Sequence, residues 1–443
     1  MVNMESNEIW RDLQSYDQLY AGKLSSFYKE AENLAPVIWP GMKLCPVCIF
    51  RQGGPAFLHK HPSPPESFIH IGDDVWMGEQ AELQLFGGTQ ADINGTLTAI
   101  NYYDRCWLVE SFYAELFHEM HHVYQRNHMT SLRTDNTALL VTYPEDVEND
   151  ALKLFENRLL LQMALNGNPQ PTGEMLNLLF SCREKRKGII GNEYMETEKL
   201  AESVEGPATY CQYKYLQSRA AKAWDRTLFA VSKQADFLSE LSKLSFGRRN
   251  LRLRLLMTGL AQCLILDNNN IPDWEQEYFD SDVLLNDFLF SRFPVKQVAI
   301  PDIDHLRAYS SYHLKNEKEE HQKHLHEFRN QNGICVEIAF KGIPECRGID
   351  PMNIESVDEN TLIHNTMLKL GKADNYLSFL TGGVISEIID DLWQVSSVTF
   401  FLLSREQLKT ENGTVIVNLG GRQLNWRGEI VNESERIISL ELE

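Results

Sequence analysis

Between Thr96 and Asn166 the chain contains one proline, Pro144, and no glycine, and its apolar residues recur at helical spacing. Leu108, Phe112, Leu116, Met120 and Val123 follow one another at intervals of four, four, four and three, which aligns them on one stripe of a helix that Asp104 can cap. Comparable periodicity returns in several segments up to about residue 290, interrupted by the turn-forming LDNNNIPDW at 266–274, and predicts a mainly helical middle region.

The flanks read differently. From Met1 to about Glu32 the pattern is mixed and helical, after which Pro36, Pro40, Pro46, Gly53, Gly54, Pro55, Pro62, Pro64 and Pro65 predict a loop-rich N-terminal wrap. Short β-favouring runs (SFIHI, ELQLF and TLTAINYY) between Phe68 and Tyr103, separated by glycine turns, predict a small sheet. After Phe293-Pro294 comes a charged run, LKNEKEEHQKHLHEF, read as an exposed helix or tether. Beyond Gly333, ICVEIAF, SVTFFLL, GTVIVNL and RIISLEL alternate as strands do. The expected fold class is α+β: a wrap over 1–65, a small sheet with a mainly α-helical part over 66–292, and a β-rich C-terminal domain over 293–443.

Composition narrows the function. Asp and Glu number 62 against 42 Lys and Arg, a formal charge of −20, so the average surface repels polyanions and nucleic acid is not an expected partner. MVNMESNEIWRDL lacks the features of a signal peptide, and no stretch approaches the roughly 18 apolar residues of a membrane helix. Eight scattered cysteines do not form a disulfide framework. The expectation is a cytoplasmic protein with reduced thiols and no membrane partner; oligomeric state is not legible.

On the helix carrying the first stripe, Ser111, Glu115, His118, Glu119 and His122 fall on the other side, with His118 and His122 one turn apart. His118-Glu119-Met120-His121-His122 matches HExxH, in which the two histidines bind zinc and the glutamate between them is the general base. A catalytic zinc needs a third protein ligand. Within ETEKLAESVEGPATYCQYKYL, a helix with the stripe Leu200, Val204, Ala208, Cys211 and Tyr215 brings Glu198, Glu202 and Glu205 together on its opposite side. Three such carboxylates repel one another unless a cation or solvent compensates, and zinc would be such a cation.

HExxH followed by Glu205-Gly206-Pro207-Ala208, an EGxA pattern, resembles the gluzincin branch of the zincin metallopeptidases over about residues 104–216. The resemblance implies a zincin-like metallopeptidase domain within 66–292, Zn2+ as cofactor, His118, His122 and Glu205 as ligands, Glu119 as the base that activates water, and a peptide or protein as substrate. Gly206-Pro207 departs from the uninterrupted helix of that family, because proline lacks an N–H and clashes with the preceding turn; Glu205 then sits at a kink, or Pro207 begins a new helix. Glu202 is accordingly the substitute ligand or a supporting carboxylate. His128 is a further alternative ligand, and no GAMEN-type exopeptidase motif is present.

Other roles stay open. Glu115, Glu156 or Glu202 can take the second ring N–H of a ligand histidine, and Tyr210, Tyr213, Tyr309 or His313 can serve an oxyanion. Cys45 and Cys48 have CxxC spacing with His59 and His61 nearby, though the pattern departs from zinc-finger spacing. Two other functions compete with a peptidase: a zincin-like scaffold without turnover that binds a partner through its C-terminal domain, and a zinc hydrolase of a non-peptide amide.

Overall fold

A computed structural model describes residues 13–83, 85, 87–103, 108–130, 132, 139, 142–165, 169–220, 236–243, 251–350, 353–358, 360–372, 375–379, 383–389, 393–419, 422–434 and 437–442. The fold is α+β. Two helices, α1 (Ser15–Ala21) and α2 (Leu24–Ile38), precede β1 (Val47–Phe50), β2 (Pro55–His59), β3 (Ile69–Gly72), β4 (Val75–Glu79), β5 (Thr89–Ile93) and β6 (Thr96–Tyr102). These strands form one sheet in the order β3-β4-β2-β1-β6-β5, antiparallel except for the parallel pair β1–β6.

The loop-rich wrap over 1–65 requires correction, because β1 and β2 lie at the centre of this sheet. Val47, Ile49 and Phe57 enter the main core on one face, while Cys48, Phe50, Ala56 and Leu58 enter a second cluster on the other. A strand covered on both faces is apolar throughout and shows no alternation. Pro55 opens β2, where a missing N–H is tolerated. ELQLF adds no strand among its described residues: Gln80–Leu83 is a single helical turn.

Helices follow: α3 (Val109–His128), α4 (Val147–Leu165), α5 (Pro169–Ile190), α6 (Asn192–Ala220), α7 (Leu251–Asn268), α8 (Trp274–Ser281) and α9 (Leu285–Arg292). Asp104, the expected cap of α3, lies outside the described residues; Leu108 stands at the N-cap, with no side-chain cap bond. Phe112, Leu116, Met120 and Val123 are buried as the stripe requires, whereas Leu108 is exposed; His118 is buried where α6 packs on α3, and His121 is buried among Trp39, Tyr124 and Phe279. Pro207 lies inside α6 without ending it, so Glu205 is part of one continuous helix.

Gly206 is what lets α6 meet α7. A Cβ at Gly206 would stand 2.7 Å from the Gly259 backbone, and one at Gly259 would stand 2.6 Å from Gly206 Cα and from the Glu202 carbonyl oxygen. Backbone contacts that close cannot be relieved by a rotamer change. We expect Gly206→Ala to destabilise the protein by about 1–3 kcal/mol, the cost of overpacking a core, read as a lower urea midpoint at unchanged slope.

A long helix, α10 (Asp304–Arg329), leads to the C-terminal part. Ile303 and Leu306, at its start, pack with Ala151, Leu152 and Leu154 of α4, and Arg307 Nη2 donates to Glu148 Oε1 at 3.0 Å. Leu325 and Phe328, at its end, pack with Val357, Ile363 and Ile385. The strands after it are β7 (Ile334–Phe340), β8 (Cys346–Ile349), β9 (Ile354–Ser356), β10 (Thr361–His364), β11 (Leu368–Lys372), β12 (Asn375–Phe379), β13 (Val384–Ile388), β14 (Val395–Leu402), β15 (Leu408–Glu411), β16 (Thr414–Leu419), β17 (Arg422–Glu433) and β18 (Ile437–Leu442). They form a nine-stranded sheet, β15-β16-β17-β18-β7-β14-β13-β10-β9, and a three-stranded sheet, β12-β11-β8. Leu368 and Leu370 of β11 share a core with Val336, Ile338, Val398 and Leu440, so the two sheets pack together. No helix among the described residues is long and apolar enough to cross a membrane.

Candidate metal centre

Two histidines one helical turn apart on α3 project towards α6, and the structure brings His118, His122 and Glu205 together. His118 Nε2 and His122 Nε2 are 2.9 Å apart, and Glu205 Oε2 is 3.5 Å from each. The centre of that triangle lies about 1.9 Å from each corner, against zinc–nitrogen and zinc–oxygen bonds of roughly 2.0–2.2 Å. His118, His122 and Glu205 are therefore spaced so that they could hold a zinc ion together. Among the described residues this is the only group of three or more His, Cys, Asp or Glu donors close enough to share a cation.

The surroundings orient two of the three donors, His122 and Glu205. His122 Nδ1 donates to Gln125 Oε1 at 2.9 Å, which turns Nε2 towards Glu205. Glu205 Oε1 accepts from Arg252 Nη2 at 3.0 Å, which leaves Oε2 for the histidines. Burial disfavours the Glu205 charge, but hydrogen bonds from His118 and His122, the His122 charge and Arg252 outweigh it and hold the carboxyl well below the ordinary range. Burial likewise opposes a charged His122, yet Glu205, Glu119 and Gln125 raise it to about 9. A divalent cation held there would compete with that proton for the same nitrogen.

Glu119 stands beside the triangle and outside it. Burial pushes its carboxyl above the ordinary range, His118 and His122 partly offset this, and Glu205 and Glu115 add to it. A Cβ at Gly88, just before the edge strand β5, would stand 3.4 Å from Glu119 Oε1 and 2.9 Å from Asn101 Oδ1, so glycine keeps this approach open.

Glu202 is not an alternative ligand. Arg183 Nη1 and Nη2 donate to its two oxygens at 2.8 and 2.7 Å, and Thr258 Oγ1 donates at 2.7 Å. Glu198 pairs with Arg186 and accepts from the Tyr143 hydroxyl, while Arg254 Nη1 lies 3.5 Å from its Oε2. Glu156 accepts from Arg186 Nη1 at 2.9 Å and from Arg254 Nη2 at 3.0 Å. Three arginines thus neutralise three glutamates in a fully buried lattice that joins α4, α5, α6 and α7. The cation that the glutamate spacing calls for is arginine at Glu198 and Glu202; Glu205 alone faces the histidines.

Other expectations are redistributed. Gln125, not a carboxylate, holds the second nitrogen of His122, and Glu156 and Glu202 are committed to arginines. His128 is exposed and its Nδ1 donates to the Tyr124 carbonyl at 2.7 Å. Tyr210 is buried among Trp39 and Trp274, and Tyr213 packs against Phe237. Tyr309 and His313 stack on each other on α10, and nothing in the geometry singles out an oxyanion donor. Cys45 and Cys48 are buried, unpaired thiols that burial pushes up, Cys45 to about 12. Near them, His59 is lowered to about 4, mainly by burial, and His61 Nε2 donates to the Ile93 carbonyl at 3.1 Å.

Compared with known protein families, curated proteins and solved structures, the chain matches none.

Proposed function

We propose that the chain is a zinc-dependent hydrolase of the zincin type, gluzincin-like in its ligand set, that cleaves peptide bonds. The reading is carried by one observation: three donors from two helices surround a point at bonding distance for zinc, with a glutamate between the two histidines in sequence. When bound, zinc polarises a carbonyl and lowers the pKa of water. Glu119, raised by burial, is a better proton acceptor than a solvated carboxylate; it takes the proton of the attacking water and passes it to the leaving amine.

The edge strand supports a peptide as substrate. Among the described residues β5 is the last strand of its sheet, and Gly88, just before it, lies near Glu119, so an extended chain could add to that edge close to the base. Gly88→Val fills the space between that edge and the base; we expect kcat/KM to fall about tenfold or more, with zinc content unchanged, in a continuous peptide assay with parallel metal analysis. A cytoplasmic place of action belongs to the same proposal, resting on scattered cysteines that are free thiols among the described residues.

The deciding experiment is metal analysis of untagged protein with digestion of a peptide library before chelation, after it, and after zinc is returned. One zinc per chain, with cleavage that chelation abolishes and zinc restores, is the expected result. Protein that neither contains nor takes up zinc and cleaves nothing would sink the reading. Zinc-loaded protein inert towards peptides would shift it to a non-peptide amide or to a binding scaffold.

A further inference from the structure

Pro207 occupies the middle of α6, where it removes one intrahelical hydrogen bond and its ring presses on the carbonyl four residues earlier. That carbonyl belongs to Ser203. It is not left without donors, because Gln125 Nε2 reaches it at 3.2 Å and the Tyr278 hydroxyl at 3.4 Å. Gln125 is only 3% exposed, and its other amide atom, Oε1, accepts from His122 Nδ1. One side chain therefore joins a histidine of the metal centre to the backbone of the helix that carries Glu205, two residues before that glutamate.

We propose that Pro207 and Gln125 are positioning residues for the metal centre: the helix bond that the proline deletes frees the Ser203 carbonyl to hold Gln125, and Gln125 holds His122 with Nε2 towards the cation. The inference rests on the metal centre proposed above and concerns what sets its geometry.

The chemistry leaves the amide one orientation. The Ser203 carbonyl can only accept, so the NH2 of Gln125 must face it, and Oε1 must then face His122. An oxygen there requires a hydrogen on Nδ1, which leaves the Nε2 lone pair for metal. An ordinary residue at 207 would send its own N–H to the same carbonyl. Three donors would then compete for two lone pairs, and the clash of the proline ring with that carbonyl would be gone.

The test is zinc affinity of the full chain, measured by competition with a chromophoric chelator. Gln125→Leu should raise the zinc Kd about 10–100-fold, the usual cost of losing a partner of a ligand histidine. Pro207→Ala should raise it at least about fivefold in the same direction, although the helix regains a bond and the metal-free protein melts no earlier. The double variant should lose no more than Gln125→Leu alone, because both changes act through one carbonyl. A Pro207→Ala Kd within about twofold of wild type, or effects that add in the double variant, overturns the proposal. If Gln125→Leu does not fold, Pro207→Ala decides alone. Wild-type protein that takes up no zinc overturns the metal centre and the relay together, whereas tight zinc binding unaffected by Pro207→Ala overturns only the relay.

Discussion

Glu119→Gln should remove hydrolysis and leave zinc in place. Glutamine has the shape of glutamate and cannot accept the proton, and Glu119 is not among the three atoms that surround the cation position. A positioned general base contributes about 10²–10⁴-fold to rate, so we expect kcat to fall by roughly a thousandfold with KM little changed, in a stopped assay on the best peptide found in the library digest. Metal analysis of the same sample supplies the control. Turnover by the variant equal to wild type would take the base role away from Glu119. Loss of zinc along with activity would mean that this carboxylate belongs to the ligand set instead.

The largest effect on stability should come from the buried lattice behind the centre. Arg186 donates to Glu156, pairs with Glu198 and contacts Tyr143 and Asn149, all of them buried. Arg186→Met leaves two carboxylates with too little compensation, and removal of one partner of a buried ion pair costs about 3–5 kcal/mol. Urea unfolding at neutral pH is the measurement, and a change below about 1 kcal/mol would show that the lattice relaxes around the gap.

The pH dependence gives the same prediction a sign. In the wild type burial pushes Glu198 up, but Arg186 and Arg254 and hydrogen bonds from Arg186 and Tyr143 outweigh it and hold the carboxyl at about 2, below its ordinary 4.5. A depressed carboxyl contributes stability that is present above about 4.5 and drains away as the pH falls towards 2. Without Arg186 the same carboxyl resists ionisation and gains from protonation. The difference between wild type and Arg186→Met should therefore narrow across that window, and a constant difference would contradict the assignment.

Much of this architecture was legible as alternation, and the parts that were not share a physical cause. ICVEIAF, GTVIVNL and RIISLEL contain β7, β16 and β18, and SVTFFLL covers all of β14 but its first two residues, each in a sheet with distinct faces. VCIF and PAFLH escaped notice because both of their faces are buried and proline or glycine surrounds them, so period and punctuation pointed to loop. The one-turn spacing of His118 and His122 was visible in the chain itself. The fate of Glu198, Glu202 and Glu205 was not, because periodicity along one helix cannot say which neighbour lies across it. Arg183 and Arg186, one turn apart on α5, carried a signal that complementary spacing could have exposed. Gln125, three residues after His122, carried none without knowledge of where α6 passes.

The long helix α10 has its two ends in two different cores, Ile303 and Leu306 in one and Leu325 and Phe328 in the other. A truncated polypeptide that stops at residue 292 strips the cover from Ala151, Leu152 and Leu154, and a fragment that begins at residue 330 does the same to Ile363 and Ile385. Each uncovered face is an apolar patch open to self-association. Dissecting this molecule at the obvious change in sequence character would yield two sticky pieces, so recombinant work belongs on the intact chain.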